Sequence, residues 1–151
     1  MDLQAALPLL LPRVIVWAET QARQVATLGI VLAQREQELA REVGVAEPER
    51  IRLYLIDTLP SPEDPDLRAA ALQTGLLGPN MVGLTLGHCV FVCNGHRTSR
   101  LLSHEFRHVY QYEQAGSIAA FLPGYLDQIV RFGYDNAAFE KDARAHERDD
   151  T

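Results

Sequence analysis

His104-Glu105-Phe106-Arg107-His108 places two imidazoles four residues apart, with a carboxylate beside the first of them. A helix has about 3.6 residues per turn, so in a helix both histidines lie on one face and can reach the same metal ion. Glu105 lies one step round the helix, where it is badly placed as a ligand but can take a proton from water. The spacing therefore predicts a helix with two zinc ligands and a general base.

The residues around this motif favour a helix. Neither proline nor glycine occurs between Arg97 and Ala115, and apolar residues on both sides of the motif give the helix a side to bury. Thr98 or Ser99 offers a hydroxyl that can cap the first free N–H groups. The alternative is a structural helix that carries two unrelated histidines, one packed in the core and one in solvent.

Two segments of the chain resemble motifs of the zincin metallopeptidases, in particular the branch in which a glutamate completes the zinc site and small bacterial domains of that kind. The first is 104–111, which reads His-Glu-Phe-Arg-His-Val-Tyr-Gln. The second is 136–143, which reads Asn-Ala-Ala-Phe-Glu-Lys-Asp-Ala. The resemblance covers about residues 80–147, and the first motif is far more specific than the second.

The resemblance implies a Zn²⁺ site with three protein ligands. These would be His104, His108 and Glu140, and a catalytic zinc leaves its fourth position to water. His146 could replace Glu140 as the third ligand, and so could an aspartate or water. Glu140 could also be a solvated helix carboxylate, which is the usual state of a glutamate.

The chain departs from the resembled family at one position. Glutamate-type enzymes often place an aspartate one turn after the ligand glutamate, where it orients a histidine, but here that position is Arg144. The acceptor that orients the histidines is then expected to be Asp142, Asn136 or a backbone carbonyl. Gln111 and Tyr112 could also line the cleft or orient the histidines.

The implied reaction is hydrolysis of an acyl bond, most simply a peptide bond, with Glu105 as the general base. The tetrahedral oxyanion needs a donor besides the metal, and we expect Tyr125 or Tyr134 to supply it. His146 is an alternative donor and Arg107 a weaker one. The competing hypotheses are a non-catalytic zinc-holding interaction module of the same fold and a zinc hydrolase that acts on a small amide.

The composition restricts the partners. The chain has 151 residues, of which 47% are hydrophobic and 23% charged, enough for one domain with a core. A net charge of −6 without a basic stripe argues against nucleic acid. The resemblance to metallopeptidases implies a peptide or protein substrate. The sequence has neither a membrane span nor an export signal, which favours the cytoplasm, and it leaves the oligomeric state open.

We predict an α+β, zincin-like domain that is mostly helical, with a small sheet of about three strands beside the motif helix. It would comprise a helical region at 1–44, the sheet with one helix at 45–97 and the site helices at 98–148. Apolar spacing from Pro12 predicts one long amphipathic helix, kinked near Gly29 and ending at Gly44. The other predicted elements are a strand at 51–57, a strand pair or one long strand broken at Gly87 at 82–92, and helices at 66–74, 118–132 and about 136–148.

The predicted strand region contains a candidate substrate-binding strand and two cysteines. Residues 83–87 (Gly-Leu-Thr-Leu-Gly) resemble the zincin edge strand that pairs with an extended substrate, although an ordinary hairpin is the alternative. Cys89 and Cys93 would lie roughly 13 Å apart at about 3.3 Å per residue, so we expect them to be reduced and buried. A metal role for them with His88 and His96 is the other possibility.

Overall fold

The computed structural model describes residues 1–149, and over these residues it has six α-helices and a four-stranded sheet. The fold is therefore α+β and mostly helical with a small sheet, as the sequence predicts. The helices are α1 (Leu3–Leu28), α2 (Gln34–Glu42), α3 (Pro65–Thr74), α4 (Ser99–Ala115), α5 (Ile118–Phe132) and α6 (Ala138–Ala145). The strands are β1 (Ile30–Val31), β2 (Arg52–Ile56), β3 (Gly83–Leu86) and β4 (Cys89–Cys93).

The sheet has the order β1-β2-β4-β3. The two central strands, β2 and β4, are parallel, with Leu53 opposite Val90, and each edge strand is antiparallel to its neighbour. All five residues of β4 are buried, as expected for a strand with both faces covered. β3 lies at the edge of the sheet, as predicted for residues 83–87, and α4 packs against it.

Each face of the sheet has its own hydrophobic cluster, because successive side chains of a strand point to opposite faces. On one face, strand residues pack against α4 and the α2 region; this cluster includes Leu53, Val90, Val92, Leu39, Leu102, Phe106 and Val109. On the other face, strand residues pack against α1 and α5; this cluster includes Leu86, Cys89, Phe91, Ala18, Val25, Phe121 and Leu122. Helix α4 packs against β3 and β4 and also contacts α5 and α6.

The prediction of one helix from Pro12 to Gly44 is wrong. Helix α1 ends at Leu28, β1 follows, and α2 is a separate helix. Gly29 explains the break, because a Cβ there would lie 2.9 Å from the Cβ of Arg52 and 3.0 Å from the carbonyl oxygen of Leu53. Only a glycine lets the chain approach β2 this closely, and the approach adds β1 to the sheet as a strand that the prediction lacked.

Other predicted boundaries also differ. Helix α1 begins at Leu3, where the Asp2 carboxylate accepts from the Ala5 N–H, and it contains Pro8 and Pro12 without ending at either. Helix α6 is shorter than the predicted 136–148 segment. Within the described part of the chain, no helix has both the length and the apolar character needed to cross a membrane.

Candidate metal centre

Helix α4 presents both motif histidines on its buried side. Its first turn is capped by Thr98, whose hydroxyl accepts from the Leu101 N–H at 3.2 Å, and it ends at Gly116, whose φ of +103° suits glycine. Between these ends the helix is regular, so His104 and His108 lie one turn apart with ring centroids 5.0 Å from each other. The helical geometry required of the motif is therefore present.

Helix α6 brings a carboxylate to these two imidazoles. Gln128 on α5 accepts from the Phe139 N–H and so fixes the start of α6. Oε1 of Glu140 lies 3.2 Å from His104 Nε2, and Oε2 lies 3.1 Å from His108 Nε2. Glu140 is only 1% exposed, so it is not a solvated helix carboxylate. A buried carboxylate is costly unless it is paired, and here its partners are the two histidines.

The three side chains fit a zinc ion. Their candidate ligand atoms all lie within 4.8 Å of one another. In a tetrahedral site with bonds of about 2.0–2.1 Å, neighbouring ligand atoms are about 3.3 Å apart. The contacts from His104 Nε2 to Oε1, at 3.2 Å, and from His108 Nε2 to Oε2, at 3.1 Å, are close to that spacing, and each is made to a different oxygen of Glu140. Two imidazole nitrogens and one carboxylate oxygen are also a donor set that zinc accepts.

The electrostatics of the cluster favour a positive charge between these groups. Burial alone would lower the pKa of His104, but its hydrogen bond to Glu140 and the charges of Glu105 and Glu140 raise that pKa to about 9. The pKa of His108 is raised for similar reasons against its own burial. Burial would raise the pKa of Glu140, yet its hydrogen bonds with both histidines hold it well below the ordinary value. Protons supply this charge when no metal is bound.

A second set of contacts orients the imidazoles. Nδ1 of His104 lies 2.8 Å from Oε2 of Glu147, and Nδ1 of His108 lies 2.7 Å from Oε1 of Gln111. Because both acceptors take the Nδ1 proton, Nε2 is the ring nitrogen left to face Glu140 or a metal. Glu147 was not among the residues predicted from the sequence, because it lies beyond the end of α6 and outside both motifs.

The acceptors expected from the sequence have other or indirect roles. Gln111 donates to Asp142 Oδ2 at 3.0 Å, so Asp142 supports His108 only through that amide. Asn136 donates to the Phe132 carbonyl and does not contact the histidines. The interpretation of Gln111 as an orienting residue agrees with its contact to His108.

Two further candidates lie away from the cluster. His146 Nδ1 is 2.8 Å from the Asp142 carbonyl oxygen, so the third side chain beside the histidines is Glu140 and not His146. Arg107 binds the Asp142 carboxylate and the Val43 carbonyl, which leaves its guanidinium on another side of α4. The structure therefore gives Arg107 no place as an oxyanion donor.

Glu105 lies against the edge strand β3. The Thr85 hydroxyl donates to Glu105 Oε1 at 2.8 Å, and Glu105 is 5% exposed. A Cβ on Gly83 would lie 2.9 Å from Glu105 Oε2 and 3.0 Å from its Cδ. The small residue at position 83 therefore makes room for this carboxylate, a role that was not predicted from the sequence.

The two candidate tyrosines lie at Glu140. The Tyr125 hydroxyl donates to Glu140 Oε2 at 2.5 Å. Tyr134 lines two cavities, and Glu105 lines both of them as well. Burial and the nearby Glu140 charge raise the pKa of both phenols, so each keeps its proton at neutral pH and can donate it in a hydrogen bond.

The remaining histidine and cysteine candidates do not join this site. Cys89 and Cys93 are free and buried, as predicted, and burial raises the pKa of Cys89 to about 11. His96 is exposed, whereas His88 lies 2.9 Å from Glu113 in a second His/Glu group that also includes Glu47. Neither cysteine belongs to a group of metal-ligating atoms within residues 1–149.

The geometry thus defines a candidate two-histidine, one-carboxylate metal centre with a second carboxylate beside it. No protein-family model matches this sequence, and no curated protein or solved structure matches it either.

Proposed function

We propose that the protein is a zinc-dependent hydrolase, most simply a metallopeptidase of the zincin type. The observation that carries the proposal is the convergence of His104, His108 and Glu140 from two helices, with Glu105 held separately beside them. A purely structural helix would not need two imidazoles whose Nδ1 atoms are both held by acceptors and whose Nε2 atoms both face one buried carboxylate.

Each side chain has a distinct proposed role. Zinc held by His104, His108 and Glu140 would supply Lewis acidity, which lowers the pKa of water and polarises a carbonyl. Glu105 accepts the proton of the attacking water and passes it to the leaving nitrogen. Thr85 donates to Oε1 of Glu105, which fixes that carboxylate and leaves Oε2 to accept the proton.

The tyrosines divide two further roles in this proposal. Tyr125 already donates to Glu140, so it positions the third ligand. Tyr134 lines the space next to Glu105 and keeps its proton at neutral pH, which suits it to donate to the developing oxyanion.

The edge strand offers a place for an extended peptide. The Cys93 N–H donates to the Val82 carbonyl at 2.9 Å, and Gly83 is opposite Val92 in the register. Because hydrogen-bonded pairs alternate along an antiparallel ladder, the backbone groups of Gly83 and Thr85 face away from β4. A substrate strand would pair with these groups beside Glu105.

The test replaces the proposed base and leaves the ligands intact. Zinc-loaded native protein should cleave casein or a peptide library, whereas Glu105→Gln should keep about one zinc per chain and lose about 10²- to 10⁴-fold in rate, the usual contribution of a general base. Glu113→Gln is the matched control, because Glu113 lies on the same helix outside the site.

Two outcomes would contradict parts of the proposal. Undiminished hydrolysis by Glu105→Gln would remove that residue from the chemistry. Native protein that binds zinc tightly but cleaves no peptide in the library would instead favour the non-catalytic zinc-holding module.

A further inference from the structure

An apolar cavity of about 160 Å³ opens beside the metal centre. It extends from Glu105, His108 and Glu140 into the space between α1, α3 and α5, with Trp17, Leu67 and Leu126 on its wall. The remaining lining residues are apolar, apart from threonines and tyrosines. Charged groups therefore occur only at the end that adjoins the site.

We propose that this cavity, the apolar pocket, binds one bulky apolar side chain of a peptide substrate next to the bond that is cleaved. The inference rests on the proposed hydrolase function and adds a substrate class to it. Continuity with Glu105 and Glu140 supports the location, since a group that fills the cavity also lies beside the general base.

The size of the pocket selects among apolar groups. A cavity of about 150 Å³ lined by Leu, Ile and Phe stays dry and binds benzene. The apolar pocket, at about 160 Å³, therefore accommodates the side chain of phenylalanine or leucine. A fatty acyl chain of about twelve carbons has twice the carbon atoms of benzene and exceeds this volume.

The chemistry of the wall selects against charge. A charged side chain would lose its hydration without gaining a partner along the apolar wall. An acidic side chain would also be repelled by Glu105 and Glu140 at the mouth. Each buried methylene contributes about fourfold to binding, so leucine or phenylalanine should be preferred over glycine by at least about tenfold.

Helix α3 supplies the part of the wall that can be changed without touching the site. Leu67, Ala70, Ala71 and Thr74 line the pocket at spacings of three and four residues, as one helix face does. The helix is tied to α1 because Arg13 forms salt bridges with Asp64 and Asp66 at its start. The small side chains of Ala70 and Ala71 leave space that a larger residue would fill.

The experiment compares Ala71→Phe with Ala69→Phe. Ala69 is exposed on the same helix and does not line the pocket, so its variant controls for a new phenylalanine on α3. Zinc-loaded proteins are given peptides that carry Gly, Ala, Leu, Phe or Glu beside the scissile bond. Native protein and Ala69→Phe should prefer Leu and Phe by at least about tenfold, and Ala71→Phe should lose that preference.

A second measurement is independent of zinc and of turnover. Toluene, an analogue of the phenylalanine side chain, is titrated into metal-free protein and followed by NMR. We expect saturable binding to native protein and Ala69→Phe and none to Ala71→Phe. If circular dichroism shows that Ala71→Phe does not fold, Ala70→Leu replaces it in both measurements.

The outcomes separate the two proposals. Hydrolysis with no preference among the five residues, or with the same preference in Ala71→Phe as in native protein, would overturn the apolar pocket as the substrate site while leaving the hydrolase intact. Absence of hydrolysis in every variant would overturn the hydrolase and its substrate assignment. Failure of toluene to bind native protein would overturn the pocket whatever the hydrolysis result.

Discussion

Two groups of histidines and carboxylates in residues 1–149 bring candidate ligand atoms within 4.8 Å of one another. They are the site cluster, His104, His108 and Glu140, and the surface cluster, Glu47, His88 and Glu113. In both clusters the ligand atoms are close enough to share an ion, but the clusters differ in burial and in the other groups that their carboxylates and histidines bind. Proximity of ligand atoms is therefore a weak criterion without knowledge of what else each atom binds.

The carboxylates of the surface cluster already have structural partners. Glu113 accepts from the backbone N–H groups of Ala46 at 2.8 Å and Glu47 at 3.1 Å, and His88 lies against the same carboxylate. Glu47 is exposed and bonded to Arg50. These contacts tie a loop and the β3–β4 hairpin to α4, so the cluster has a structural role without an ion.

In the site cluster the same atom types bind other side chains and, within residues 1–149, no backbone group. Both oxygens of Glu140 face imidazole nitrogens, with one also receiving the Tyr125 hydroxyl, and the carboxylate is buried. The outer nitrogens of His104 and His108 are held by other side chains. A candidate metal centre differs from an ordinary surface ion pair in two ways: its ligands are buried, and other side chains hold them in position.

The largest expected difference between the two clusters appears in zinc affinity when one carboxylate in each is neutralised. Glu140→Gln should weaken zinc binding by more than about 100-fold, since losing a supporting residue alone costs about 10- to 100-fold. Glu113→Gln should leave zinc affinity unchanged. The measurement is competition with a chromogenic chelator. Equal zinc affinity in both variants would contradict the assignment of the site cluster.

The motif helix was predictable from the sequence because its signals are local. The four-residue spacing, the cap at Thr98 and the absence of Pro or Gly all act within one helix. Glu140 was placed only through a resemblance, and the distances now put it at the histidines. Its position depends on how α5 turns the chain back, which no local pattern encodes.

The errors arose where tertiary contacts override local periodicity. The apolar spacing continues through Gly29, yet pairing of β1 with β2 ends the helix there. Glu147 could not be found because its contact with His104 spans 43 residues and follows the end of α6.

A second prediction tests the side chains that orient the histidines of the site cluster. Glu147→Ala removes the acceptor for His104 Nδ1, so zinc affinity should fall by about 10- to 100-fold while about one zinc per chain still binds at high metal concentration. Glu47→Ala in the surface cluster is the control and should have no effect. Calorimetric titration of both variants measures the difference. An unchanged affinity in Glu147→Ala would show that its contact does not orient the ligand.

A third prediction concerns the dependence of zinc affinity on pH. In the metal-free protein the pKa of His104 is raised from 6.5 to about 9, so a proton occupies its ring at neutral pH and zinc must displace it. Zinc affinity should therefore rise by about tenfold per pH unit between pH 7 and 9 for one displaced proton. A chelator competition series at fixed ionic strength gives the slope. A flat profile would show that no proton competes with zinc at this histidine.

The same protonation gives metal-free stability the opposite dependence on pH. A raised folded-state pKa means that the stabilising charge of His104 is fully present below pH 6.5 and is lost as the pH rises through about 9. The free energy of unfolding of metal-free protein should therefore fall over this range, as measured in urea, and the fall should be smaller in His104→Ala. His88→Ala, in the surface cluster, should keep the native slope. The site cluster thus holds a proton when zinc is absent and gives it up when zinc binds. As the pH rises, the metal-free protein should lose stability while the affinity for zinc increases, and both changes should depend on the site cluster alone.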